Sequence, residues 1–158
     1  MKSEVVFSTK FDDRFHAKNV LVDSKEDGVD AQGNYNYWLA ESHEKDGQGF
    51  TIKVDNCPRK IAGCYIRNTR KGAAGGSTKE FTVSGSLNKD GPWLILAEGR
   101  LAYYSGSKPA TLRKLKLDKA VEVQFLKFDL VSYWGNGGGL QYFAAILTTG
   151  IKVKYERI

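Results

Sequence analysis

A chain of 158 residues with 41% hydrophobic and 27% charged residues is long enough to bury roughly 70% of the surface its unfolded form exposes, so a single domain over 1–158 is the simplest organisation. The formal net charge of +6 favours anionic partners such as acidic glycans, phospholipid head groups or nucleic acid, without choosing among them. No apolar run approaches the ~20 residues of a membrane-crossing helix, and Met1-Lys2-Ser3-Glu4 opens no hydrophobic leader, which reads as a cytosolic protein or as a mature domain behind a new methionine.

In chain order, residues 4–11 read as a first strand, and Asp12 to Asp23 as a mixed segment with a short helical turn. Asp23 to Tyr37 is a polar loop longer than ordinary connections, and Glu41 to Gly49 a second polar loop. Phe50, Ile52 and Val54 alternate with Thr51, Lys53 and Asp55, the period of a half-buried strand. Asp55-Asn56-Cys57-Pro58 turns the chain, and Ile61 to Asn68 returns. Cys64, in phase with Ala62 and Ile66, reads as a buried free thiol; a bridge to Cys57 is the alternative and would need a narrow Cα separation.

After a Gly-rich loop from Thr69 to Thr78, Phe81 and Val83 alternate with Thr82 and Ser84. Asp90-Gly91-Pro92 forces a turn, and Trp93-Leu94-Ile95-Leu96 is expected to return as an apolar strand with Trp93 in the core. Arg100 to Tyr104 reads as a further short strand. Lys108 to Lys119 is rich in cations, and Leu115 and Leu117 alternate with Lys114 and Lys116, so it reads as a strand with one basic face. In the run from Val121 to Tyr133 the apolar phase switches between Val121/Val123/Phe125 and Leu126/Phe128/Leu130, which predicts a bulge or a strand buried on both faces. A glycine loop over 135–139 precedes a strand from Leu140 to Leu147, and Ile151, Val153 and Tyr155 alternate as a last strand. Sustained helical periodicity is missing, so the expected class is all-β with antiparallel strands.

Four stretches, in order, resemble discoidin domains, the coagulation factor V/VIII type C family. They are Phe15 to Asp23, with its Ala-x-Asn-x-hydrophobic pattern; Tyr37-Trp38-Leu39-Ala40; the hairpin Gly49 to Val54 and Arg59 to Gly63; and the Ser-rich strand, Asp-Gly turn and Trp93. The resemblance covers roughly Phe7 to Leu147. It implies an antiparallel β-sandwich of jelly-roll type, an extracellular or cell-surface setting, and a binding function without catalysis, directed at glycans, lipid head groups or proteins.

Catalytic and nucleotide motifs are not favoured by the residues. Gly75-Gly76-Ser77-Thr78-Lys79 has the wrong order for a phosphate loop and leads into a strand rather than a helix. With His16 and His43 the only histidines, a histidine-rich metal site is excluded. A Ser/His/Asp triad needs no fixed spacing, but the nearest approach to a nucleophile elbow, Val83-Ser84-Gly85-Ser86, lacks the leading glycine. The basic strand has no stacking aromatics or groove-reading helix beside it, which argues against nucleic acid.

By the resemblance, ligands sit on loops at one end of the sandwich and no cofactor is required. The candidate glycan contacts are Tyr35 and Tyr37 in the first long loop, Arg67, Asn68 and Arg70 around the start of the Gly-rich loop, and Trp134 and Asn136 in the last loop. Arg and Asn bond sugar hydroxyls while an aromatic face covers the apolar side of the ring. Asp23, Asp27 and Asp30 cluster in one loop as calcium ligands of the kind hard cations take, although the acid that often completes this site in the resembled family is missing from Gln141-Tyr142-Phe143-Ala144-Ala145. Anionic phospholipid and a protein receptor are the alternative partners.

Overall fold

The expected strand periods appear as ten strands and two short 3-10 turns among the residues that the computed structural model describes, which are 3–23, 36–41, 47–69, 76–103 and 110–148. The strands are β1 (Glu4–Ser8), β2 (Trp38–Leu39), β3 (Gly49–Lys53), β4 (Arg59–Arg67), β5 (Gly76–Ser86), β6 (Leu94–Arg100), β7 (Arg113–Val123), β8 (Phe125–Gly135), β9 (Gly139–Leu140) and β10 (Tyr142–Leu147). The 3-10 turns, Asp13–Phe15 and Ala17–Leu21, fill the segment read as helical. Asp12 caps the first by accepting from the Arg14 N–H, and His16 caps the second by accepting from Lys18.

Five strands form one sheet in the order β1-β3-β8-β5-β6, three form a second in the order β10-β4-β7, and β2 pairs with β9. Each pairing is antiparallel. The two larger sheets close on a common core as a β-sandwich. Phe50, Ile52, Phe81, Val83, Leu126 and Phe128 come from the first sheet, and Ile61, Cys64, Ile66, Phe143 and Ala145 from the second. Phe128 sits at the centre, stacked on Phe50 and Phe81 with centroids 5.1 and 5.7 Å away. Trp38 and Phe143 meet it edge-on, the arrangement that the ring quadrupole favours.

The phase switch in 121–133 has a topological cause rather than a bulge within one strand. β7 ends in the three-stranded sheet at Val123 and β8 begins in the five-stranded sheet at Phe125. Gln124 is the corner: its N–H donates to Ser86 O, and its carbonyl accepts from Val54. A strand that changes sheets must turn its side chains over to keep facing one core.

Three further expectations are corrected. β6 begins at Leu94, but Leu94 and Ile95 are 58% and 59% exposed and Trp93 is half-buried. β6 is the edge of its sheet, with only Leu96 and Ala97 packed against the core, so an apolar quartet does not bury its leading tryptophan. Residues 101–103 follow β6 without being strand, and Cys64 points inward with Ile61 and Ile66 rather than with Ala62, because the β4–β7 register slips between Ile61 and Gly63. The last strand expected over Ile151 to Tyr155 lies outside the described residues.

Candidate functional site at the loop end

β5 and β8 run together to one end of the sandwich, where Gly76 faces Gly135 and Ser77 faces Trp134. β4 finishes at the same end with Arg67 opposite Tyr142. Asn68 follows and ties the strands together: its amide donates to Thr78 O at 2.8 Å, and its Oδ1 accepts from the Thr78 and Thr69 N–H groups, both at 3.0 Å. Thr78 Oγ1 donates to Gly139 O at 2.7 Å. Buried polar groups need such partners, and these bonds hold the last loop against the Gly-rich one.

Asn68 is therefore scaffold rather than a free sugar contact. Tyr37 is likewise moved from the ligand to the core: it is 2% exposed, with its ring 5.5 Å from Phe15. Arg67 lies at the expected end, but its side chain is 9% exposed; Nη1 pairs with Asp23 Oδ1 and Nε donates to Ala110 O at 3.1 Å. The adjacent Tyr142 hydroxyl has its pKa pushed up to about 12, by burial first and then by the Asp23 charge. Tyr35 and Arg70 lie outside the described residues.

Asp23 bears on the calcium expectation. Its carboxylate holds the Arg67 guanidinium, and a fixed cation there opposes a second one. Among the described residues no group of three or more His, Cys, Asp or Glu side chains is placed to hold a metal, and Asp27 and Asp30 lie outside them. Of the three expected ligands only Asp23 is among the described residues, and its carboxylate is engaged by Arg67.

Trp134 and Asn136 remain at the surface of this end. Asn136 is exposed, next to Gly135 at φ +77°, a conformation that suits glycine. Trp134 is half-buried, with its indole N–H donating to Leu101 O at 2.9 Å. Lys79 Nζ lies 4.7 Å from the ring centroid and the Arg100 guanidinium 5.3 Å, both within cation–π range. Tyr103, 41% exposed, meets the indole edge-on at 5.8 Å. Beside them Ser132 Oγ donates to Glu80 Oε2 at 2.9 Å. The result is an oriented aromatic pair framed by two cations, with its N–H already engaged.

Sequence reasoning missed Arg100 and Tyr103. Arg100 reaches Trp134 because Glu80 pairs with Arg100 in one ladder and with Ser132 in the other. That register is a property of three strands together. The surviving local signal is an aromatic pair, Tyr103-Tyr104, just after a cation.

No family model matches the chain, and no curated protein sequence matches it. Its fold is shared with solved carbohydrate-binding modules. One is the pair of CBM32 domains of Clostridium perfringens ZmpB, at TM-score 0.63 and 15% identity over 92% of this chain. The chain spans 34% of that protein's solved length. A second is CBM32-1 from a family 31 glycoside hydrolase of Clostridium perfringens, at TM-score 0.65 and 14% identity, covering 90% of this chain and 92% of that one. A third is the family 32 module of Clostridium perfringens NanJ, solved in complex with galactose, at TM-score 0.62 and 10% identity over 91% of both chains. The β-sandwich fold of these modules is thereby established for this chain.

Proposed function

We propose that this chain is a non-catalytic carbohydrate-binding module that holds a glycan at the loop end around Trp134. The observation that carries the reading is the half-buried indole with Lys79, Arg100 and Tyr103 arranged about it. Aromatic faces cover the C–H side of a pyranose, while lysine and arginine donate to its hydroxyl oxygens. The solved relatives of the same fold support it, one of them holding galactose. His16 is engaged as a helix cap through Nδ1, which removes it as a ready general base. Asn136 and Arg70 complete the proposed contacts, and an extracellular or cell-surface setting follows from the same reading.

A glycan array followed by titration with the best neutral sugar tests this. Trp134→Ala, Arg100→Ala and Arg70→Ala should each weaken binding by about tenfold or more, the scale of one charge-assisted hydrogen bond or stacking contact. Normal binding in all three variants would place the site elsewhere. Binding to anionic vesicles or a protein receptor, with no response to any sugar, would favour the alternative partners over a glycan.

A further inference from the structure

On the outer face of the five-stranded sheet, away from the loop end, one cross-strand row runs Phe7, Thr51, Lys127, Ser84 and Ile95. The β5–β6 turn folds over this row. Together they border an open groove of about 420 Å³ whose lining includes Val6 and Phe7 of β1 with Thr51, Lys89, Asp90, Trp93 and Lys127, within the ~300–1,000 Å³ range of small-molecule sites. Lys127 and Trp134 are both on β8, about 23 Å apart at strand rise, so one sugar ring cannot touch both.

We infer that this groove is a second binding site, and that it takes an acidic saccharide, a pyranose bearing a carboxylate. Three features carry the inference. Trp93 is half-buried and Phe7 is 56% exposed, which gives two aromatic surfaces in a cleft where the fold does not need them for its core. The Trp93 ring is held in place: a Cβ on Gly91, whose φ is +95°, would sit 2.9 Å from its Cδ1, and Lys127 Nζ lies 5.3 Å from its centroid. The lining carries two ammonium groups, Lys89 and Lys127, and the carboxylate of Asp90; the nearby Asp129 carboxylate pairs with Lys127, which leaves Lys89 and Lys127 as the groove's donors to an anion.

The recognition chemistry follows from that set. The ring's apolar face lies on Trp93, its carboxylate sits between Lys89 and Lys127, and Asp90 and Thr51 bond its hydroxyls. Lys127 is already oriented, with Asp129 Oδ2 3.7 Å from its ammonium, at a distance long enough for a ligand carboxylate to compete. The net charge of +6 draws an anionic chain towards the site.

The test is titration of the whole chain with tri-galacturonate and with neutral galactotriose, read by calorimetry and by the indole N–H resonances. Tri-galacturonate should bind more tightly than galactotriose, should shift the Trp93 indole resonance, and should weaken with added salt. Lys127→Met keeps the aliphatic stem and removes the charge; it should lower tri-galacturonate affinity by about tenfold or more and leave galactose binding at the loop end unchanged. Trp93→Ala should do the same, and Trp134→Ala should leave tri-galacturonate binding intact. Equal affinity for the neutral trimer, no binding of the acidic one, unaltered affinity in Lys127→Met, or loss through Trp134→Ala would overturn the inference. The Trp93 resonance shift and the response of tri-galacturonate affinity to Lys127→Met and Trp134→Ala are read without reference to galactose binding at the loop end, so they separate this inference from the proposed function.

Discussion

Individual side chains here are set apart by burial more than by type. Cys57 is exposed and Cys64 is buried, and both are free; burial pushes the Cys64 thiol pKa up to about 12. The thiolate is the reactive form, so maleimide should label Cys57 alone in the native protein and both cysteines in denaturant, as read by mass spectrometry. His16 has its pKa lowered, first by desolvation and then by Lys10 and Lys18. The unfolded chain therefore takes up the proton before the folded one as pH falls below about 6.5, and stability should decline with acidification through the folded value. His16→Asn, which keeps a capping side chain, should flatten that decline in thermal midpoints measured across mildly acidic buffers. Asp23 partners a nearly buried arginine, so Asp23→Ala should cost about 1–3 kcal/mol to the same extent with and without a chelator. Chelator-dependent loss in the parent alone would point to calcium at this loop.

At the scale of elements, glycine decides how closely β4 and β7 approach. A Cβ on Gly63 would lie 2.1 Å from Leu115 O, a backbone atom that cannot swing aside. It sits where the β4–β7 register slips: Ile61 faces Val121 while Gly63 faces Lys116. Gly63→Ala should therefore part the two strands and cost about 1–3 kcal/mol, measured as a lower urea midpoint with the slope unchanged. The basic face of β7 was legible from its alternation: Lys114 and Lys116 are exposed while Leu115 and Leu117 pack towards the core. The edge position of β6 was not legible, because Leu94 and Ile95 have the composition of a central strand and only the strand order leaves them uncovered.

Across the whole molecule, the core and the proposed binding sites occupy different places. Phe128 touches four other aromatic rings at the centre of the sandwich, so Phe128→Ala should cost about 3–5 kcal/mol. Trp93→Ala, at a half-buried site over the outer face, should cost about 1–2 kcal/mol. Parallel thermal melts of the two variants check the ordering, and an equal or larger loss at Trp93 would return that indole to the core. No helix among the described residues is long and apolar enough to cross a membrane, and the far-ultraviolet dichroism should be that of antiparallel sheet.

The sequence by itself determined the fold class, most strand positions, the turn at Asp90-Gly91-Pro92 and the end of the sandwich where Trp134 and Asn136 emerge. Alternation and turn chemistry are local, and each is written in a few adjacent residues. Only the tertiary structure decided which polar residues are structural and which are available. Arg67, Asn68 and Tyr37 have the chemistry of sugar contacts, yet ion pairing, strand-tying hydrogen bonds and ring packing engage them inside. Arg100 and Tyr103 are brought beside Trp134, and Trp93 is left outside the core, by register and strand order. Those are relations between segments far apart in the chain, and a one-residue slip in pairing would turn every such side chain to the opposite face.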